Sequence, residues 1–173
     1  MTDRIYLVGY MGAGKSTCAK RLASKLGWES VDTDHLFESK YKIAIHDFFK
    51  KYDESLFRRL ERDLLIETGN LTHTVIATGG GTPCFYNNIS WMNENGLTAY
   101  LKMSPAAIAN RLIHAKKKRP LILEKNSDDI YQFVKDHMRQ RAIFYSQANL
   151  VIEAESLDLQ DFIKQINAYP ESF

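Results

Sequence analysis

Apolar residues fall along this chain in two alternating textures, short unbroken runs and longer periodic stripes. Ile5-Tyr6-Leu7-Val8 is wholly apolar and ends at Gly9, as expected of a strand buried on both faces of a parallel sheet. From Lys15 to Leu26 the spacing changes. Ala19, Leu22, Ala23 and Leu26 recur every three or four residues, which predicts a helix stopped by Gly27. A second short strand is expected around Ser30-Val31-Asp32. Others are expected at Val75-Ile76-Ala77-Thr78, Leu97-Thr98-Ala99-Tyr100-Leu101 and Leu150-Val151-Ile152. Helical patterns lie between them. Residues 55–67 place Leu56, Leu60, Leu64 and Leu65 on one stripe. Trp91 lies in a helical segment that stops at Asn95-Gly96, and Ser104-Pro105 offers a cap followed by a first-turn proline. Residues 129–145 and 157–168 predict the last two helices. The basic run 116–120, Lys-Lys-Lys-Arg-Pro, breaks the pattern and reads as an exposed loop. Five short strands separated by helices predict βαβ units, hence an α/β fold with a five-stranded parallel sheet flanked by helices. No repeat or linker divides the chain, so one domain over 1–173 is expected.

Composition narrows the field only by exclusion. With 173 residues, 45% of them hydrophobic, the chain is long enough to bury a core. Its 23 basic and 21 acidic residues leave a net charge of +2, too small to imply a nucleic-acid or membrane partner. No apolar run approaches the roughly 20 residues that span a bilayer. No secretory pattern precedes the first strand, and a cytoplasmic protein is expected. Cys18 and Cys84 are too few and too far apart for a disulfide scaffold or metal knuckle, and read as small buried hydrophobes. The histidines show no zinc-like spacing.

Chemistry enters with residues 9–16, Gly-Tyr-Met-Gly-Ala-Gly-Lys-Ser, which fill every required position of the Walker A pattern between a strand and a helix. Glycines let successive N–H groups turn inward around phosphate oxygens, and the helix N-terminus adds partial positive charge. Gly12, Ala13, Gly14, Lys15, Ser16 and Thr17 are therefore the candidate triphosphate-binding residues. Lys15 would reach the β- and γ-phosphates, and the Ser16 hydroxyl would ligate Mg²⁺. On its own, this motif specifies only that a nucleoside triphosphate binds.

Two further segments concern the acceptor. Asp32-Thr33-Asp34 follows the second strand, where a parallel sheet opens into its ligand crevice. Strand alternation would turn both carboxylates to one side. One could hold Mg²⁺ through water and the other accept a proton from a substrate hydroxyl; a helix cap is the plainer alternative. Gly79-Gly80-Gly81 follows a strand and permits close approach of backbone to ligand, though such a cluster also suits an ordinary turn. That strand lacks the aspartate usual for a Walker B segment, which leaves Asp32 as the natural metal acid.

Taken in order, residues 9–16, Asp32-Thr33-Asp34, Phe57-Arg58 with Glu61, Gly79-Gly80-Gly81, Arg119-Pro120-Leu121 and Arg141 with Tyr145 resemble the shikimate kinases. These are monomeric relatives of the nucleoside monophosphate kinases. The resemblance implies ATP and shikimate as substrates, Mg²⁺ as cofactor, a substrate-binding segment at about 33–61 and a lid at about 112–125. It implies Asp34 as the base for the 3-hydroxyl, with Lys15 and Arg119 as the other catalytic groups, and Arg58 and Arg141 as the carboxylate grip. Gly79, Gly80 and Gly81 would offer backbone to the substrate, Arg119 would close with the lid onto the transferring phosphoryl group, and Arg111 would stack on adenine. Two departures from the family pattern, Asp53 before Glu54 and Ile143 after Arg141, touch local backbone shape and replace no ligand. Gluconate kinase shares the scaffold and an acid substrate, but its Leu-x-Asp-x-Asp-Arg segment is absent. A silent nucleotide-binding module would be expected to lack a phosphate or metal ligand, and Lys15, Ser16, Asp32 and Arg119 are all present.

Overall fold

The computed structural model of the protein describes residues 3–115 and 126–170. Five strands, β1 (Arg4–Val8), β2 (Glu29–Asp32), β3 (Thr74–Ala77), β4 (Leu97–Lys102) and β5 (Leu150–Glu153), form one sheet in the order β2-β3-β1-β4-β5. Every neighbouring pair is parallel, with Ile5 of β1 opposite Val75 on one side and Leu97 on the other. The helices are α1 (Lys15–Leu26), α2 (Thr33–Tyr41), α3 (Ile45–Lys51), α4 (Glu54–Glu67), α5 (Asn88–Asn95), α6 (Pro105–Ile113), α7 (Ser127–Tyr145) and α8 (Leu159–Ala168).

Period-two alternation explains why helices cover both faces. Ile5 and Leu7 turn to one side, where they join Cys18, Leu22, Ile108, Leu112, Val134, Tyr145 and Phe162 from α1, α6, α7 and α8 in the largest core. Tyr6 and Val8 turn to the other side and meet Leu65 of α4 with Ile89 and Met92 of α5. The central strands are therefore buried along most of their length and largely apolar, while β2 and β5 at the edges are more exposed. Phe162 has no exposed surface, so Phe162→Ala is expected to lower unfolding free energy by about 3–5 kcal/mol in urea titrations.

Several helix ends have identifiable chemical causes. Gly27 caps α1 in the left-handed region (φ 70°), and the Ser104 hydroxyl accepts from Ala107 N–H ahead of Pro105 in α6. The last two helices differ at their starts from the sequence expectation. Asn126 caps α7, so that helix begins at Ser127, and Asp158 caps α8, which begins at Leu159.

Two differences bear on function. First, α3 was not anticipated, and α2 was foreseen only as the alternative of a helix cap at Asp32-Thr33-Asp34, which the structure bears out. They carry little apolar stripe of their own, and what holds them is a separate aromatic cluster of Phe37, Phe48 and Phe57 with Leu64. Phe37 packs against Phe57 at a ring distance of 4.9 Å and against Phe48 at 5.2 Å. Second, the buried stripe of α4 runs through Phe57, Glu61, Leu64 and Leu65, with Leu56 and Leu60 only partly buried. The helix is thus rotated from the leucine-only expectation, and a carboxylate lies on its inner face. The expected basic loop at 116–120 and most of the expected lid at about 112–125 lie outside the described residues, and so does Arg119.

Candidate active site

Strand order brings the functional segments together. Because β3 lies between β1 and β2, the loops leaving β1, β2 and β3 emerge side by side at one edge of the sheet. Register keeps them level: Ala77 lies opposite both Leu7 and Asp32. The resulting crevice is about 200 Å³ and is lined by the phosphate loop, Asp32, Asp34, Thr78, Gly79 and Gly80. The connections also diverge here, since the chain runs from β1 past β3 to β2 but from β3 past β1 to β4, and such a switch point is the usual position of a ligand site in an open parallel sheet.

The phosphate loop is built as an anion cradle. Gly9, Gly12 and Gly14 have positive φ of 143°, 84° and 89°, a region costly for residues with a Cβ. Gly9 has an added constraint, since a methyl group there would lie 2.8 Å from the Leu101 carbonyl oxygen. Helix α1 starts with no side-chain cap and no acidic residue in its first turn. Its N–H groups and partial positive charge therefore face the crevice without an acidic residue of the helix itself to offset them. Lys15 is buried, and its ammonium donates to the carbonyls of Gly9 (2.7 Å) and Tyr10 (2.9 Å). The loop is also buttressed from outside, where Arg111 donates to the Gly12 carbonyl at 3.2 Å.

Asp32 takes the cap role that its position left open and also reaches the serine of the phosphate loop. It ends β2 and caps α2, accepting from the N–H groups of Asp34 (3.0 Å) and His35 (3.4 Å) through Oδ1. Its Oδ2 accepts from the Ser16 hydroxyl at 2.5 Å. Asp34 accordingly stands in the first turn of α2, not on the strand, which corrects the expected same-side alternation. Its carboxylate still faces the crevice, with Oδ1 3.2 Å from where a methyl on Gly79 would project.

The triple-glycine segment is shaped by contacts on several sides. A methyl at Gly79 would lie 2.8 Å from Glu61 Oε1, one at Gly80 would lie 3.0 Å from Met11 N, and one at Gly81 would lie 2.7 Å from Arg58 Nη2. Close approach, rather than an unusual φ, is what requires glycine here. Arg58 is held rigidly, with ion pairs to Glu54 (3.0 Å) and Glu61 (2.9 Å) and its guanidinium 4.3 Å from the centre of the Phe85 ring. Glu61 in turn accepts from the Thr82 hydroxyl at 2.6 Å. Arg141 on α7 lies 5.7 Å from the Tyr10 ring centre. Arg141 and Arg58 both act electrostatically on the Cys84 thiol and the His137 ring, so the two guanidinium groups approach one region from α7 and α4.

Cys84 is half-buried beside these arginines, unlike the fully buried Cys18, and burial raises both thiol pKa values. A second cavity of about 320 Å³ lies across the phosphate loop, bounded by Thr17, Arg21, Arg111, Glu155 and Leu157 among others. Arg111 thus borders this cavity as well as the phosphate loop. Arg21, Glu155, Thr82, Tyr10 and His137 were not singled out from the sequence, since none belongs to a motif with a fixed residue type. For His137 one cue existed, its place four residues before Arg141 on a helix. Among the described residues no group of three or more His, Cys, Asp or Glu side chains is arranged to hold a metal.

A parallel sheet with a phosphate loop after β1, a hydroxyl–carboxylate pair beside it and an acid-lined acceptor crevice defines the class of P-loop kinases acting on small molecules. The shikimate kinase family model matches residues 11–169, and the chain belongs to that family. It is 42% identical over 164 residues to the shikimate kinase of Azobacteroides pseudotrichonymphae, covering 94% of this chain and 96% of that one. The crystal structure of shikimate kinase from Bacteroides thetaiotaomicron superposes with a TM-score of 0.89 at 36% identity, covering 96% and 97% of the two chains. Shikimate kinase from Acinetobacter baumannii in complex with shikimate gives 0.87 at 32% identity, covering 99% and 97%. The protein is an ATP-dependent phosphotransferase with an alcohol acceptor.

Proposed function

We propose that the protein transfers the γ-phosphoryl group of ATP to the 3-hydroxyl of shikimate, giving shikimate 3-phosphate for aromatic amino acid biosynthesis. The observation that carries this reading is the joining of the two half-sites. Gly80 packs against the phosphate loop at Met11, while Gly79 and Gly81 pack against Glu61 and Arg58, so an acid gripped at Arg58 places its hydroxyl near a bound triphosphate.

In this reading Lys15 and the N–H groups of residues 12–17 hold the phosphates, and Arg111 borders the base. Arg58 and Arg141 bind the carboxylate, for which a planar guanidinium fork matches two oxygens. Gly79, Gly80 and Gly81 line the acceptor through their backbone. Asp34 orients the 3-hydroxyl and accepts its proton as the oxygen attacks phosphorus in line. Little covalent work falls to the protein, so alignment and charge neutralisation supply most of the rate. Arg119 would add positive charge to the transferring group from the lid.

Magnesium fits the donor set. The Ser16 hydroxyl and Asp32 carboxylate are already adjacent at 2.5 Å. One hydroxyl, one water-relayed carboxylate and substrate phosphates are what this ion prefers over an all-protein cage. When bound it would neutralise phosphate charge. We further infer one domain acting as a monomer in the cytoplasm. The monomer rests on the resemblance to the shikimate kinases; the net charge of +2 offers no large field for a nucleic-acid partner, and no helix among the described residues is long and apolar enough to cross a membrane.

The test is a coupled assay of ADP release with shikimate, gluconate or no acceptor. Release that depends on shikimate, with gluconate near background, is expected. Equal rates with gluconate would point to the related acid kinase, and no acceptor-dependent release to a silent nucleotide-binding module.

A further inference from the structure

Arg141 is the middle member of a face of α7 whose neighbours one turn away on either side are both tied to ligand loops. His137, four residues before it, shares a hydrogen bond with the Tyr10 hydroxyl through Nδ1 at 2.9 Å. The two rings meet edge-on, with centroids 5.5 Å apart and planes at 90°. Tyr145, four residues after Arg141, donates to the Gly80 carbonyl at 2.6 Å and stacks on Tyr100. Residues spaced by four lie above one another on a helix. The helix surface that presents Arg141 is thus fastened to the phosphate loop at one end and to the glycine loop at the other.

The anchor at Tyr10 does more than hold the helix. Its ring lies beneath the Arg141 guanidinium, 5.7 Å away, a placement that attracts a cation to the ring face. An arginine side chain has many rotamers, and ordering it only when the ligand arrives weakens binding. We propose that Tyr10 and His137 are positioning residues for Arg141. Their hydrogen bond sets the Tyr10 ring as a shelf that holds the guanidinium ready for the substrate carboxylate.

The electrostatic surroundings are consistent with a lasting bond. The charged groups acting on His137 are Arg141 on its own helix and Glu54 and Arg58 on α4, while Phe133 and Tyr10 pack on its ring. Burial, with help from Arg141, holds its pKa below the ordinary histidine value. The ring therefore stays neutral near pH 7 and keeps one nitrogen to accept. Burial pushes the Tyr10 hydroxyl up to about 12, so it keeps its proton to share.

The inference rests on the reading of Arg141 as a carboxylate ligand, and the experiment separates the two. Tyr10→Phe keeps the ring and the backbone but removes the hydroxyl. It is expected to raise KM for shikimate about three- to tenfold, the loss of one hydrogen bond, with kcat and KM for ATP changed less than about twofold. His137→Leu should match it. His137→Asn, whose amide can occupy the Nδ1 position, should recover most of the loss. In an Arg141→Ala background Tyr10→Phe should add nothing, because its effect passes through that arginine. The inference is overturned if Tyr10→Phe leaves KM for shikimate unchanged while Arg141→Ala raises it. It is equally overturned if KM for ATP rises in parallel or if the Tyr10 effect survives without Arg141. An Arg141→Ala protein with normal KM for shikimate would remove the functional assignment of Arg141 itself, and the inference with it.

Discussion

Asp34→Asn is expected to lower kcat by about 10²–10⁴-fold, the range for loss of a positioned proton acceptor, with a much smaller change in KM for either substrate. The structure makes this substitution a clean one. Asp34 lies in the first turn of α2, where its backbone N–H is bound by the Asp32 carboxylate, so the side chain can change chemistry without releasing the helix. Asparagine keeps the size and one acceptor oxygen but cannot take a proton. Steady-state rates with saturating ATP and shikimate, beside a circular dichroism melt, would measure the effect. Turnover within a few-fold of the parent would mean that Asp34 is an orienting group only.

The second large effect belongs to Arg58, and it should appear in two observables at once. Arg58→Ala is expected to raise KM for shikimate by up to about 100-fold, as a charge-assisted contact to the carboxylate is lost. It should also reduce stability by about 3 kcal/mol, because Glu61 would be left without its cation. The side chains of Arg58 and Glu61 are only 12% and 6% exposed, so water can replace little of the missing partner. Adding Glu61→Gln removes the stranded charge and should restore much of the stability while leaving KM high. If the double variant regained substrate affinity as well, the role of Arg58 would be structural, not one of binding.

These expectations draw on residues of differing legibility. The phosphate loop could be read from the chain alone, because its chemistry is local. Eight consecutive positions between a strand and a helix contain all the backbone conformations and both functional side chains. Central strands were equally clear, since burial on both faces leaves mostly apolar residues, with Thr74 and Thr98 the buried exceptions. Helix α4 was harder. Its leucines suggested one inner stripe, yet the buried face carries Phe57 and Glu61, because α2 and α3 lie against it with their own aromatic cluster. Of those two helices only the cap of α2 left a trace in the chain, because their stability comes from that contact and not from periodicity.

What the sequence by itself determined was therefore the phosphate chemistry and the parallel α/β layering, both products of short-range pattern. Placing β3 between β1 and β2 was a tertiary decision, and it set Ser16, Asp32, Asp34 and the three glycines around one crevice. Packing also decided that Glu61 braces Arg58 and that Tyr10 and His137 join the phosphate loop to α7. Such contacts link residues up to 127 positions apart, a distance over which hydrophobic period and turn chemistry carry no information. Only the folded chain, by burying these polar groups together, makes each the partner that the other requires.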